Sequence, residues 1–346
     1  MADLGSSGGY DDAARLLASA RARLAAAAAD LALPDRLRLS DWQRSTVGAL
    51  FASLVRDVED ALRAALLERL DAGSPAEPLR AALASAGLPI ALPLLETGRL
   101  VGQPQLLSLL LRRAEEHRLA GAAPDHRLLG SLAGDEDSAV AAEAMALLVA
   151  QNARFDAFHE PLVGRSDLPA ELRHQLVWSA AAALRRYMIE QHRLDPIAAD
   201  AGIASAAAAL LPGYDEGDGV EARAVRLAGL LHRRDRLGDD LVAAAGAEGN
   251  LPLLLAALAA RAGIGFEAAW ELLSDAVGRG TAALLRAAAL SRHAAASILF
   301  RLAASDSAAA ARLDAFDILT ADEVERLLAP WRADPAYRAA IAEFAR

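Results

Sequence analysis

Glu171-Leu-Arg-His174 places a carboxylate and an imidazole three positions apart in a stretch that reads as helix. Ferritin-like bundles use this spacing to set two metal ligands on one face, with a second Glu-x-x-His and two further Glu on facing helices. No second Glu-x-x-His occurs in the chain, so the pair reads as a solvated first turn in which Glu171 complements the helix dipole. Glu115-Glu116-His117 and His159-Glu160 lack ligand spacing. Asp135-Glu-Asp137 and Asp215-Glu-Gly-Asp-Gly219 are acidic enough for calcium but lack the alternating ligands and terminal Glu of an EF-hand loop. They read as helix caps and a solvated loop. Gly278-Arg-Gly-Thr and Gly263-Ile-Gly-Phe each begin a loose Gly-x-Gly-x-x-Ala. A dinucleotide fingerprint needs a strand before it, and both of these follow helical runs, so they read as helix-to-helix turns. There is no Gly-x-Ser-x-Gly, and the seven His show no triad spacing.

Composition narrows the chemistry further. All 36 basic residues are Arg, which removes Schiff-base and P-loop lysines, and zero Cys removes thiolates, disulfides and Cys-ligated metals. No cofactor or metal is expected. A net charge of −10 argues against a nucleic-acid backbone as partner. The densest basic clusters are Arg185-Arg-Tyr-Met-Ile-Glu-Gln-His-Arg193 and His232-Arg-Arg-Asp-Arg236. One reading is an Arg-rich solvated face with Arg186 and Glu190 paired at i, i+4. The other gathers Arg185, Arg186, His192 and Arg193 with Arg233, Arg234 and Arg236 into a basic island for an acidic or phosphorylated segment of another protein. The Trp residues at 42, 178, 270 and 331 fall on apolar faces and read as core.

The elements that must position these residues are helices. Hydrophobic residues make up 54% of the 346, yet aromatics are only 4%, so the apolar content is mostly Ala and Leu, the strongest helix formers. The chain divides into an N-terminal tail and amphipathic helix (1–38), a HEAT-like region of helical repeats (39–210) and a C-terminal helical region (220–346). Asp11 to Asp30 is the Ala-rich helix of the first part. Ser40-x-x-Gln43 is a capping box heading a helix whose stripe runs Val47, Phe51, Leu54, Val58, Leu62 and Leu66, ending at Gly73. Pro75, Pro89, Pro104, Pro124 and Pro169 punctuate shorter helices, and a long helix closes the region from Leu168 to Arg193. The 211–219 loop marks a boundary. Beyond it, Ser291 and Thr320-x-x-Glu323 cap further helices. No signal peptide is visible and the apolar runs fall short of the ~20 residues of a membrane span, which places the protein in the cytoplasm.

Three stretches resemble the DUF2336 family, bacterial proteins of unassigned function found mostly in alphaproteobacteria. They are 164–176, Leu88–Leu95 with Leu106–Leu119, and the run from Gly249-Asn-Leu to Ala288-Ala-Leu-Ser-Arg292. The resemblance covers roughly residues 40 to 305. It implies an all-helical, HEAT-like fold and brings no catalytic residue. The resulting expectation is an all-α chain, a HEAT-like solenoid followed by a C-terminal bundle, serving as a non-enzymatic interaction or regulatory scaffold. The alternative is a helical enzyme whose His and carboxylates meet only in three dimensions.

Overall fold

The structure is a computed structural model that describes residues 33, 38–69, 77–85, 87–96, 98, 100, 102–121, 126–156, 160–212, 216–275, 277–303 and 305–344. The helix read over 11–30, and the turn residues Gly73, Pro75 and Pro124, lie outside these. So do His159 and Asp215. The chain falls into two units, Met1–Arg44 and Ser45–Arg346. Helix accounts for 78% of the described residues, in 17 α-helices with no strand.

These are α1 (Asp41–Arg69), α2 (Glu77–Ala84), α3 (Leu92–Glu96), α4 (Pro104–Ala120), α5 (Arg127–Ala133) and α6 (Ser138–Asn152). Then come α7 (Ala170–His192), α8 (Pro196–Leu210), α9 (Val220–Arg233), α10 (Asp239–Ala247), α11 (Leu251–Ala262) and α12 (Phe266–Leu273). The chain continues through α13 (Arg279–Ala287), α14 (Arg292–Leu302), α15 (Asp306–Ile318), α16 (Ala321–Arg332) and α17 (Pro335–Phe344).

Local chemistry sets the ends of these helices. Ser40 and Gln43 bond reciprocally at the head of α1, and Thr320 and Glu323 form the same box on α16. Asp137, Asp195, Asn250, Ser291 and Ser305 each accept an amide hydrogen of the helix they precede. Each such cap is worth ~1 kcal/mol. Gly263 closes α11 with φ 67° and Gly278 precedes α13 with φ 84°, so both loose glycine motifs are turns between helices.

Ser45–Arg346 holds two hydrophobic cores. The first gathers α1, α2, α4, α7 and α8 around Leu50, Leu54, Leu62, Leu110, Leu176 and Leu184. The second joins α5, α6 and α9–α16 around Leu129, Leu147, Leu227, Leu258, Leu285 and Phe316. Ala and Leu supply most of both, which lets helix axes approach toward the lower end of the ~8–10 Å range. α5 and α6 precede α7 in sequence but bury Leu129, Val140 and Leu147 with α9 and α10. α4 spans the two cores: Leu106, Leu109 and Leu110 belong to the first and Leu119 to the second. Among the described residues no single helix is long and apolar enough to cross a membrane.

Candidate functional site

Charges are concentrated where α4 passes between the cores. Arg112, Arg113 and Glu116 occupy its middle and are 7%, 4% and 5% exposed, while Arg154, just beyond α6, is 3% exposed. Arg154 is the hub. Its Nη1 donates to Glu116 at 3.0 Å, its Nε to Asp167 at 3.0 Å, and its Nη2 to both oxygens of Glu221 at 2.7 and 2.6 Å. Arg113 lies 2.6 Å from Glu116 and donates to the carbonyls of Leu162 (3.1 and 3.0 Å) and Arg154 (2.9 Å). Arg112 donates to both oxygens of Glu267 at 2.7 Å and stacks over Phe266, 5.2 Å from its ring centre. Arg113 stacks likewise on Phe155, at 5.7 Å.

Burial alone would raise the Glu221 carboxyl. The charges of Arg154 and Arg112 outweigh it and hold the group down at about 2. Burial lowers the Arg113 guanidinium, and Glu116 only partly offsets that. Burial also acts to lower Arg154, but Glu221, Glu116 and Asp167 together raise it. Three arginines and four carboxylates from α4, α9, α12 and the 154–167 segment thus satisfy one another. Buried ion pairs add little net stability over an apolar core, but removing one partner costs several kcal/mol, so such a set fixes geometry. With Nε, Nη1 and Nη2 of the hub guanidinium each donating to a carboxylate, the arrangement is a lock between helices.

Glu116 also borders a cavity of about 20 Å³, lined further by His126, Gln151, Phe155, Glu248, Gly249 and Asn250. This volume suits a single water molecule. Gln151 and Asn250 exchange side-chain hydrogen bonds at 2.8 and 3.2 Å, and Asn250 also accepts from the Leu253 amide at 3.2 Å. Glu248 accepts from the Leu128 amide at 3.0 Å. Gly249 takes φ 70°, and a Cβ built on it would overlap the Leu119 carbonyl. The Gly-Asn pair therefore has a backbone reason and a capping reason. Among the described residues, no group of three or more His, Asp or Glu could hold a metal ion. Glu171 and His174 lie exposed in the first turns of α7, and His174 accepts from Trp178 Nε1 at 3.0 Å.

The residues of the expected basic island sit on elements of different cores. At the end of α7, Arg185 pairs with Asp200, Arg186 donates to Glu190 at 2.9 Å, and His192 packs edge-on against Tyr187 with ring centres 5.2 Å apart. Arg193 caps the helix in the left-handed region, φ 55°. At the end of α9, Arg234 pairs with Asp137, and Arg236 with Asp135, whose carboxyl those bonds hold at about 2. Arg233 is exposed beside Gly229. Among the described residues no hydrogen bond or ion pair joins the two clusters. The reading of all four Trp as core requires correction. Trp270 is buried and Trp331 half-buried, but Trp42 and Trp178 are 40% and 37% exposed. Both occupy the outer side of a helix whose inner stripe is already complete.

Residues 122–336 match the family model described as "Uncharacterised protein conserved in bacteria (DUF2336)". The chain belongs to the DUF2336 family. The match begins later than residue 40 and runs past 305, so it takes in α5 to α16 whole. Arg154, Glu221 and Glu267 lie inside the DUF2336 region, while Arg112, Arg113 and Glu116 on α4 precede it. The Gly249-Asn250 pair also lies within it. No curated protein and no solved structure matches the chain.

The lock left little trace in the sequence. Arg112-Arg113 interrupt the apolar run Leu106–Leu111 in mid-helix, and Arg154-Phe155 and Phe266-Glu267 place a charge beside an aromatic. Those interruptions are the available signal, and the pairing among them is long-range.

Proposed function

We propose that this DUF2336 protein is a non-enzymatic interaction scaffold in the cytoplasm, a HEAT-like helical frame that holds a segment of another protein against an outer helix. The observation that carries this reading is α6, a helix with no polar side. Val140, Ala144 and Leu147 face the core, while Ala142, Met145 and Val149 form the opposite face, with Met145 49% and Val149 62% exposed. A helix apolar all round is ordinarily buried on every side. Met is an adaptable contact residue at such surfaces. α9 lies alongside, tied to α6 by Arg226–Glu143 and to its N-terminal end by Arg234–Asp137. The exposed Arg233 therefore stands near that end, where an acidic or phosphorylated residue of the partner would meet a guanidinium.

The test is a photo-crosslinking residue at Val149 in the native host. The expected result is one discrete adduct, lost when Met145→Asp is added and weakened about tenfold by Arg233→Gln. Crosslinking only to solvent-diffuse species, unaffected by Met145→Asp, would remove α6 as the binding face.

A further inference from the structure

Between α1 and the 87–92 segment lies a cavity of about 360 Å³, within the ~300–1,000 Å³ of small-molecule sites. One side is apolar, made by Ala52, Leu88, Pro89 and Leu92, and the other carries Arg56, Glu59 and Asp60. Glu59 is 4% exposed and already engaged. It accepts from Arg63 and from the amides of Ile90 at 3.0 Å and Ala91 at 2.9 Å. Arg63 in turn donates to the carbonyls of Ser85, at 2.6 Å, and Leu88. This buried pair ties the far wall to α1, so the cavity is formed before anything enters it. Arg56 and Asp60 differ. Both are exposed, and among the described residues neither makes a hydrogen bond or ion pair. They stand one helical turn apart with the cation nearer the N-terminus, the weaker order for an i, i+4 pair.

We infer that this cavity binds a free α-amino acid with an apolar side chain. Such a molecule carries its carboxylate and its ammonium on one carbon, and Arg56 and Asp60 offer the complementary charges at ~5–6 Å between Cβ atoms. The planar guanidinium of Arg56 takes the carboxylate in two bonds. Asp60 accepts from the ammonium, while the charge of Glu59 is already balanced by Arg63. The ligand's side chain then lies against the apolar wall and covers Leu88, which is 41% exposed. A wholly apolar ligand would desolvate both charges and replace none of their bonds to water. A ligand with one charge would leave the other group unmatched. Because Arg56 and Asp60 are exposed, binding is modest, with a Kd on the order of 100 μM. The cavity shares no residue with the α6 face and precedes the matched region 122–336, so it does not rest on the scaffold reading.

L-Leucine is the probe, titrated into the full-length chain by calorimetry. The expected result is saturable one-to-one binding, with NMR amide shifts centred on Gly87, Leu88 and the 52–60 stretch of α1. Arg56→Gln and Asp60→Asn should each weaken binding at least tenfold. Helicity and thermal midpoint should stay unchanged, because both side chains are exposed and unpaired. Isocaproate and isoamylamine keep the apolar group but carry one charge each, and each should bind at least tenfold more weakly than leucine. Neither heat nor amide shifts with leucine, valine or methionine at millimolar concentration overturns the inference. Leucine binding that survives both substitutions would place the amino acid elsewhere and also overturn it. Isocaproate binding as tightly as leucine would make the cavity an anion site and overturn the zwitterion assignment.

Discussion

Arg154 reaches carboxylates that follow it by 13 and 67 positions and precede it by 38. Arg154→Ala leaves Glu116, Asp167 and Glu221 facing one another without their shared cation. We expect a loss of ~3–5 kcal/mol, read from urea midpoints, because each carboxylate keeps its desolvation penalty and loses its partner. Adding Glu116→Gln and Glu221→Gln to Arg154→Met should recover much of that loss, since the uncompensated charges are then gone. Glu221 also gives a pH signature. Its carboxyl sits at about 2 in the folded chain against an ordinary value of 4.5. A depressed carboxylate stabilises fully above its unfolded pKa and loses that contribution as pH falls through the folded one. Glu221→Gln should thus cost on the order of 3 kcal/mol near pH 7. The gap to the unmodified chain should narrow between pH 4.5 and 2, seen in denaturant titrations across that window.

Among elements, α11 shows how a short motif is read twice. Asn250 caps it by accepting a local donor, the Leu253 amide. Gly249 turns the chain before it with φ 70°. Its stricter role comes from α4, whose Leu119 carbonyl occupies the space a Cβ would need. Gly263, at the other end of α11, has nothing within 4 Å of that position. Both glycines have positive φ, so alanine at either pays the left-handed strain of ~1–3 kcal/mol. Gly249→Ala should lower the thermal midpoint well beyond Gly263→Ala, since only the former must also displace a backbone. Equal midpoints for the two variants would show that α4 and the 249 turn separate readily. The caps at Ser40, Ser291 and Thr320 were read correctly because they involve neighbours three positions apart.

At the scale of the whole chain, α4 is the strut on which two cores are hung, and the arginine–carboxylate lock sits at its middle. We expect a single cooperative thermal transition for the unmodified chain. Arg112→Ala/Arg154→Ala should split it in two, with the core of α1, α2, α7 and α8 melting apart from that of α9–α16. Differential scanning calorimetry resolves this directly, and hydrogen exchange should show the amides of the 160–169 segment losing protection first. A single shifted transition would mean the apolar packing around Leu111, which touches both cores, couples them without the charges.

The sequence by itself determined the helices, several of their ends and the residue types they lack. Those properties follow from Ala and Leu periodicity, from caps and glycines acting within four residues, and from residue types missing outright. Only the tertiary structure decided which charges meet. Glu267, on the exposed side of its helix, accepts from Arg112, 155 positions away. It also decided which apolar residues stay outside, for Trp42, Met145 and Phe344 carry the same sequence signal as their buried neighbours. A period of 3.6 says that a face exists. What lies against that face depends on the packing of distant helices, to which each local pattern contributes no information.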